Sequence, residues 1–347
     1  MSTTIGIDIG YETVKVIGLD KTGKRWRLKG MNIAPIPVSS WQTDVLANQE
    51  AIAQTIIDAL RLAKPGAITG KRAMIALPES VIFSGTFSMP LLSEAELAEA
   101  IPFELAEKLS INLEDFYFDY EVVTTKCKPL DPKAQLAKEV KEPKAAKETK
   151  EDKKEDDEPI NQDGLTVFAV AAKKTLIQSV IELLEQAKLE LAGIDIKPGA
   201  IARSVIGKND QHARAILDLG AGSTGASIVE GQSIRVTSTV PWGVKALLDK
   251  QLTPEELQKE FSPVFDELVH ITKFFENRVC PGIRIEEIIL SGSGTNIAGV
   301  VEVFQQQTGL KARIGAPFGL VETHHYPVST RFSHTFADAV GLAMRGE

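Results

Sequence analysis

The sequence predicts an α/β chain built from two lobes of duplicated design, and three segments carry that prediction. Ile5-Gly6-Ile7-Asp8-Ile9-Gly10 and Ala215-Ile216-Leu217-Asp218-Leu219-Gly220 repeat one pattern, an apolar strand closing on Asp-apolar-Gly. Each is followed by a short polar turn, Gly10–Thr13 and Gly220–Gly225, and then by a second β-rich run, Val14–Ile17 and Ala226–Val229, so each copy reads as a hairpin. The third segment, Ile288–Ile297, takes an apolar strand into Ser291-Gly292-Ser293-Gly294 and on to a helix-like stretch at Ala298–Thr308. One Asp-x-Gly hairpin alone would equally describe an ordinary turn; the recurrence gives it weight.

The remaining elements follow in order. Strands Ile5–Ile9, Val14–Leu19 and Trp26–Ile33 form a meander, Gln49–Ala63 has the spacing of an amphipathic helix, and Arg72–Leu77 begins a new strand. Ser93 with Glu96 three residues on is a capping box, opening a helix that runs through Leu109. Phe116–Thr125 and Leu165–Ala171 read as two strands of one hairpin. Between them, Lys126 to Glu158 holds ten Lys and ten acidic residues with little apolar content beyond Ala. Ordering a chain costs about 1–2 kcal/mol per residue, which so little apolar surface cannot offset, so a disordered charged insertion is expected at about 126–163. In Lys173–Ala187 the residues Leu176, Ile177, Val180, Ile181 and Leu184 recur at helical spacing and are expected to be core. Ile234–Pro241 is a further strand, with helices expected from Val244, from Pro254 and over Pro263–Arg278.

The chemistry of the hairpins points to a polyanion. Glycine-rich turns can aim successive backbone N–H groups at one point and hold phosphate oxygens without a basic side chain. Two facing hairpins would grip a polyphosphate from both sides. Asp8 and Asp218 offer one carboxylate each, which suits a hydrated Mg²⁺ that keeps its waters. A strand–Gly-turn–helix start at Ile288–Ile297 would let a nucleotide approach the backbone closely.

These three elements resemble the first phosphate, second phosphate and adenosine motifs of the actin-like ATPase superfamily. Within it, the chain resembles the PilM family of type IV pilus assembly proteins. That further resemblance rests on Ala76-Leu77-Pro78-Glu79-Ser80, on Met89–Leu97, on Leu113–Asp119, on Phe168–Lys174, on Pro241-Trp242-Gly243, on Lys273-Phe274-Phe275 and on Ala339–Ala343. It covers the chain except for about Thr124 to Asp163. It implies an actin-like fold of ribonuclease H-like duplicated lobes: residues 1–172 as the first, including a small inserted subdomain at about 78–123, and 173–347 as the second. It also implies an ATP site. Asp8 and Asp218 would hold Mg²⁺ through water. Gly10, Tyr11, Glu12 and Thr13, with Gly220, Gly222, Ser223 and Thr224, would meet the phosphates, as would Lys15. Gly292, Ser293, Gly294 and Asn296 would border the adenosine. Tyr11-Glu12 stands where the family usually carries two small residues; a bulky ring and a carboxylate beside a polyanion would narrow the pocket and repel phosphate, so binding is expected rather than fast turnover. Glu104, Glu107 and Glu114 are the candidates for a hydrolytic base, undecided among themselves. The implied partner is the N-terminal cytoplasmic peptide of a PilN-like bitopic membrane protein, received in a groove between the first lobe and its inserted subdomain, around Phe83, Phe87, Met89, Leu91, Leu92, Ile101 and Phe103.

Composition narrows the classes. With 347 residues, 43% of them hydrophobic, the chain can bury a large core. It contains no 18-residue apolar run and no signal-peptide pattern, so a cytoplasmic location is expected, at the inner face of the membrane through the partner. Cys127 and Cys280 lie far apart in the sequence, without CxxC spacing or a neighbouring His, which excludes a cysteine-based zinc or iron–sulfur centre. A net charge of −8 argues against non-specific nucleic-acid binding. An FtsA-like cytoskeletal filament is the alternative, expected to carry an amphipathic anchor that is not seen after Gly341. A sugar or acetate kinase of the same fold would need an acceptor-activating carboxylate motif in the first lobe, where none stands out.

Overall fold

The computed structural model describes residues 3–23, 25–36, 41, 45–123, 164–324 and 326–345. The charged insertion expected at about 126–163 lies outside the described residues.

Both predicted hairpins form. β1 (Thr4–Ile9) pairs antiparallel with β2 (Thr13–Thr22), setting Asp8 opposite Lys15, and β2 continues the meander into β3 (Arg25–Pro35). Helix α1 (Gln49–Arg61) and the short β4 (Lys64–Pro65) lead to β5 (Arg72–Leu77), which runs parallel to β1. Next come β6 (Phe83–Met89), α2 (Glu94–Lys108), β7 (Phe116–Val123) and β8 (Leu165–Lys173). These strands form a separate three-stranded sheet in the order β6-β8-β7, roofed by α2. The capping box is made as predicted: the Ser93 backbone N–H donates to Glu96 Oε2 at 2.8 Å, and the Ser93 hydroxyl caps the Glu96 N–H.

Helix α3 (Lys174–Gln186) and β9 (Glu190–Ile196) depart from the expected division of the chain at 172/173. β9 pairs in parallel with β5, completing the first sheet in the order β15 (Val321–Glu322), β3, β2, β1, β5, β9, with β4 joined to β3. Leu176, Val180, Leu183 and Leu184 of α3 share a core with Ile52 and Ile56 of α1 and Ile7 of β1. Leu176, Val180 and Leu184 are core as expected, but of the first lobe, while Ile177 and Ile181 are partly buried. Local periodicity fixes which face of a helix is apolar; which sheet it covers depends on contacts far away in sequence.

Helix α4 (Lys197–Val205) carries the chain to the second lobe, whose sheet runs β12-β11-β10-β13-β14. Its strands are β10 (Ala213–Leu219), β11 (Thr224–Glu230), β12 (Ser233–Val240), β13 (Glu287–Ser291) and β14 (Lys311–Ile314). Helices α5 (Pro254–Glu260), α6 (Ser262–Phe274) and α7 (Val300–Thr308) cover one face around Phe261, Phe265, Phe275 and Phe304. Burying one such side chain contributes about 1.5–3 kcal/mol. The chain then returns: β15 (Val321–Glu322) pairs with β3, and α8 (Ala337–Arg345) lies on the first sheet against Ile17 and Leu19. The approach is close enough to require glycine. A side chain at Gly6 would collide with the Ala339 carbonyl, and one at Gly341 with the Ala200 carbonyl of α4. Among the described residues no helix is long and apolar enough to cross a membrane.

Candidate functional site

The hairpin tips and the third motif meet at one cleft of about 510 Å³ between the two sheets. Its lining includes Gly10, Tyr11, Glu12, Thr13 and Lys15 from the first hairpin, and Asp218, Gly220, Gly222 and Ser223 from the second. Gly292, Ser293 and Asn296 complete the wall. Each tip is tight: the Gly10 N–H donates to the Thr13 carbonyl at 2.8 Å, and the Gly220 N–H to the Ser223 carbonyl at 3.1 Å. The tips touch, since a Cβ placed on Gly222 would stand 2.8 Å from the Tyr11 ring. The Glu12 carboxylate, expected to repel phosphate, is paired with Lys245 just beyond the second hairpin.

The third motif sits where it can only be glycine. Gly292 has φ 81°, and a Cβ there would fall 2.6 Å from Asp218 Oδ1 and 2.7 Å from the Leu219 carbonyl. The strand ends in a 3₁₀ turn, Ser293–Asn296, rather than in the expected helix start, and α7 opens only at Val300. Two predicted residues stand behind the wall. Gly294 packs against Leu219 and Val244, and Thr224 is fully buried with its hydroxyl unpartnered.

Asp8 differs from its expected role. It is fully buried and off the cleft surface: Lys15 Nζ lies 2.6 Å from Oδ2 and Lys197 Nζ 2.9 Å from Oδ1. Lys197, the first residue of α4, also stands 3.6 Å from Asp338 Oδ2 on α8. Burial alone would raise the Asp8 carboxyl, but the two ammonium groups outweigh it and hold it well below the ordinary carboxylate range. Asp338 is pushed up, by burial first and by the Asp8 charge second. Burial would lower Lys197, yet Asp8, Asp338 and Asp218 together raise it. A carboxylate occupied by two ammonium groups does not fit as the holder of a hydrated Mg²⁺; Asp218 is the one of the pair that faces the cleft.

None of Glu104, Glu107 and Glu114 lines the cleft; they belong to α2 and to the turn before β7. Glu79 does line it. It follows β5 and Pro78, accepts a hydrogen bond from Thr237 Oγ1 at 3.1 Å, and would meet a Cβ on Gly225 at 3.0 Å from Oε1. Burial raises its carboxyl to about 7, and the nearby Asp218 charge adds to this. Sequence reading overlooked Lys197 and Glu79 as site residues because each follows a strand as a single charged residue, without a spacing motif.

A second concavity of about 480 Å³ lies between the small sheet and the first lobe. Tyr117–Glu121 of β7 form one side and Ile194, Asp195 and Ile196 of β9 the other, with Arg203 and Arg345 paired to Asp195 at its floor. Both flanking strands are edge strands of their sheets. Of the residues expected at a groove, Phe87, Met89 and Ile101 are core of the small subdomain, and Leu91 and Phe103 are exposed away from it.

Duplicated hairpins facing across a cleft, with a small inserted sheet beside the first lobe, define the actin-like ATPase fold. Residues 6–150 match the family model described as type IV pilus assembly protein PilM. Over 99% of its length the chain superposes on 98% of a chain of a PilM–PilN type IV pilus biogenesis complex, with a TM-score of 0.70 at 20% identity. A diol dehydratase-reactivating factor in nucleotide-free form matches with a TM-score of 0.51 at 10% identity, over 99% of both chains. The ethanolamine utilization protein EutJ from Carboxydothermus hydrogenoformans matches at 0.50 and 11%, over 99% of this chain and 90% of that one. The resemblance to the PilM family drawn from the motifs is matched by the family model over residues 6–150, and the fold it implied, the actin-like one, is found across the chain.

Proposed function

We propose that this chain is a PilM-like type IV pilus assembly protein, in which an ATP-binding cleft sets the shape of a groove for the cytoplasmic N-terminal peptide of a bitopic, PilN-like membrane protein. The observation that carries the reading is the groove between two sheet edges. Edge strands leave backbone N–H and C=O groups unpaired, so an extended segment can add to β7 or β9 while its alternate side chains meet the apolar part of the lining, Leu77, Ile82, Phe168 and Ile234. The family match and the fold of the PilM–PilN neighbour support the same choice. Binding such a peptide would hold the chain at the inner face of the cytoplasmic membrane.

Cleft and groove are one residue apart. Ile194–Ile196 line the groove, and Lys197 lines the cleft. Nucleotide closing on the hairpin tips moves the end of β9, which the peptide also touches. The role asked of the nucleotide is a change of shape, with hydrolysis slow or absent. The test is titration of the peptide onto wild-type protein and onto Phe118→Asp, with and without ATP. Phe118 lines the groove and is 38% exposed, so the variant should keep its melting temperature and lose about 1–3 kcal/mol of peptide affinity. Wild-type protein that binds no such peptide in either state removes the partner from the reading.

A further inference from the structure

The disagreement at Asp8 has a chemical reading of its own. Two acidic side chains that converge at a phosphate site ordinarily need a cation between them. Here the cation is already covalently part of the chain. Lys197 Nζ stands 2.9 Å from Asp8 and 3.6 Å from Asp338, and its ammonium also feels Asp218 across the cleft. The side chain is only 13% exposed, yet it reaches the cleft lining beside Lys15. The position is built from three separate elements: the end of β1, the first turn of α4, and α8. Pro198 fixes the start of α4, and Gly341 lets α8 approach α4 closely enough to bring Asp338 within reach.

We propose that Lys197 acts as a tethered cation in place of a divalent metal at the Asp8 side of the cleft, so that the site takes nucleoside polyphosphates without requiring Mg²⁺. This rests on the reading of the cleft as a nucleotide site. Lys15 and Lys197 supply two positive charges, and Asp8 and Asp338 position them. The polyphosphate gains its counter-charge from Lys197 and its hydrogen bonds from the two glycine-rich tips. A single ammonium cannot polarise two phosphate oxygens and a water together as a divalent ion does, in accord with a site that binds nucleotide and turns it over slowly.

The experiment is calorimetric titration of ATP into the full chain, once with excess Mg²⁺ and once with EDTA. Wild-type affinity in EDTA should lie within about threefold of that in Mg²⁺. Lys197→Met should lose tenfold or more in EDTA and recover most of it when Mg²⁺ is restored, because the uncovered Asp8 and Asp338 can then hold the ion. Should Lys197→Met fail to fold because Asp338 and one oxygen of Asp8 are left buried without a cation, the double variant Lys197→Met with Asp338→Asn removes one charge of each sign and serves in its place. Lys197→Arg should keep the metal-free binding within a few-fold. Wild-type binding that falls tenfold or more in EDTA overturns the tethered-cation proposal and leaves the nucleotide site standing. No binding of ATP in either buffer overturns the nucleotide reading, and this proposal with it.

Discussion

Tyr11 of the first hairpin rests its ring directly on Gly222 of the second, so the two lobes are in contact at the cleft mouth through one aromatic side chain and one bare backbone position. The Tyr11 ring is half exposed, whereas the Gly222 backbone lies in a tight turn. Gly222→Val should therefore wedge the tips apart by displacing the ring, weakening ATP binding by about 1 kcal/mol with little loss of stability. Combining it with Tyr11→Ala should restore affinity, since the clash is then gone. A double-mutant cycle by calorimetry checks this, and strictly additive effects would count against the contact.

Glu79 gives the fold a pH dependence of known sign. Burial raises its carboxyl to about 7 from an ordinary 4.5, so the folded chain holds the proton more tightly than the unfolded chain. Between those values stability falls as pH rises, and above about 7 the full penalty of a buried charge is present. Glu79→Gln removes the penalty. Its gain in stability over wild type should be near zero at pH 4.5 and grow to on the order of 2 kcal/mol at pH 8, allowing for partial exposure. Denaturant melts at the two pH values measure it; a gain that shrinks with pH contradicts the assignment.

Phe87 and Leu91 separate core from surface in the small subdomain. Phe87 is 5% exposed among Met89, Leu97, Ile101 and Leu105, while Leu91 is 75% exposed. Phe87→Asp buries an unpaired charge and should cost more than about 4 kcal/mol or prevent folding. Leu91→Asp should stay within about 0.5 kcal/mol of wild type. Thermal melts distinguish the two.

Gly341 lies where α8 crosses α4, with the Ala200 carbonyl filling the place of a side chain. Gly341→Ala would ordinarily favour a helix by about 1 kcal/mol, but here the added methyl forces the helices apart. A net destabilisation of about 1–3 kcal/mol is expected, read from urea unfolding. A stabilised variant would show that α8 adjusts freely.

Much of this architecture could be read from the residues. Both hairpins, the Ser93 cap, Arg72–Leu77 and the helix at Gln49 were visible because each depends on neighbours a few positions away. Strand β9 and the return of α8 were not, because a run such as Glu190–Ile196 carries no mark of which sheet edge it will join. The cleft shows the same division. Backbone positions of the hairpins were legible from their glycines, and the structure brings Gly10, Gly220, Gly222 and Gly292 together. The charge balance behind them was not legible: Asp8, Lys197 and Asp338 are scattered along the chain, and only folding shows that Lys197 joins Lys15 at Asp8 and stands beside Asp338. The residues expected around the groove were not the ones that line the concavity, since apolar residues of a small subdomain read alike whether they face inward or line an opening.

The docking of α8 over β1 also has a consequence for how the chain is born. Gly6 and Ala339 are about 330 positions apart, and closing so long a loop is slow compared with local folding. On the ribosome, the face of the first sheet that α8 covers must wait, bare, while the second lobe is synthesised and folds. Ile17 and Leu19 thus stay uncovered until α8 has been made, and the interval before α8 arrives is when a chaperone would have most to hold.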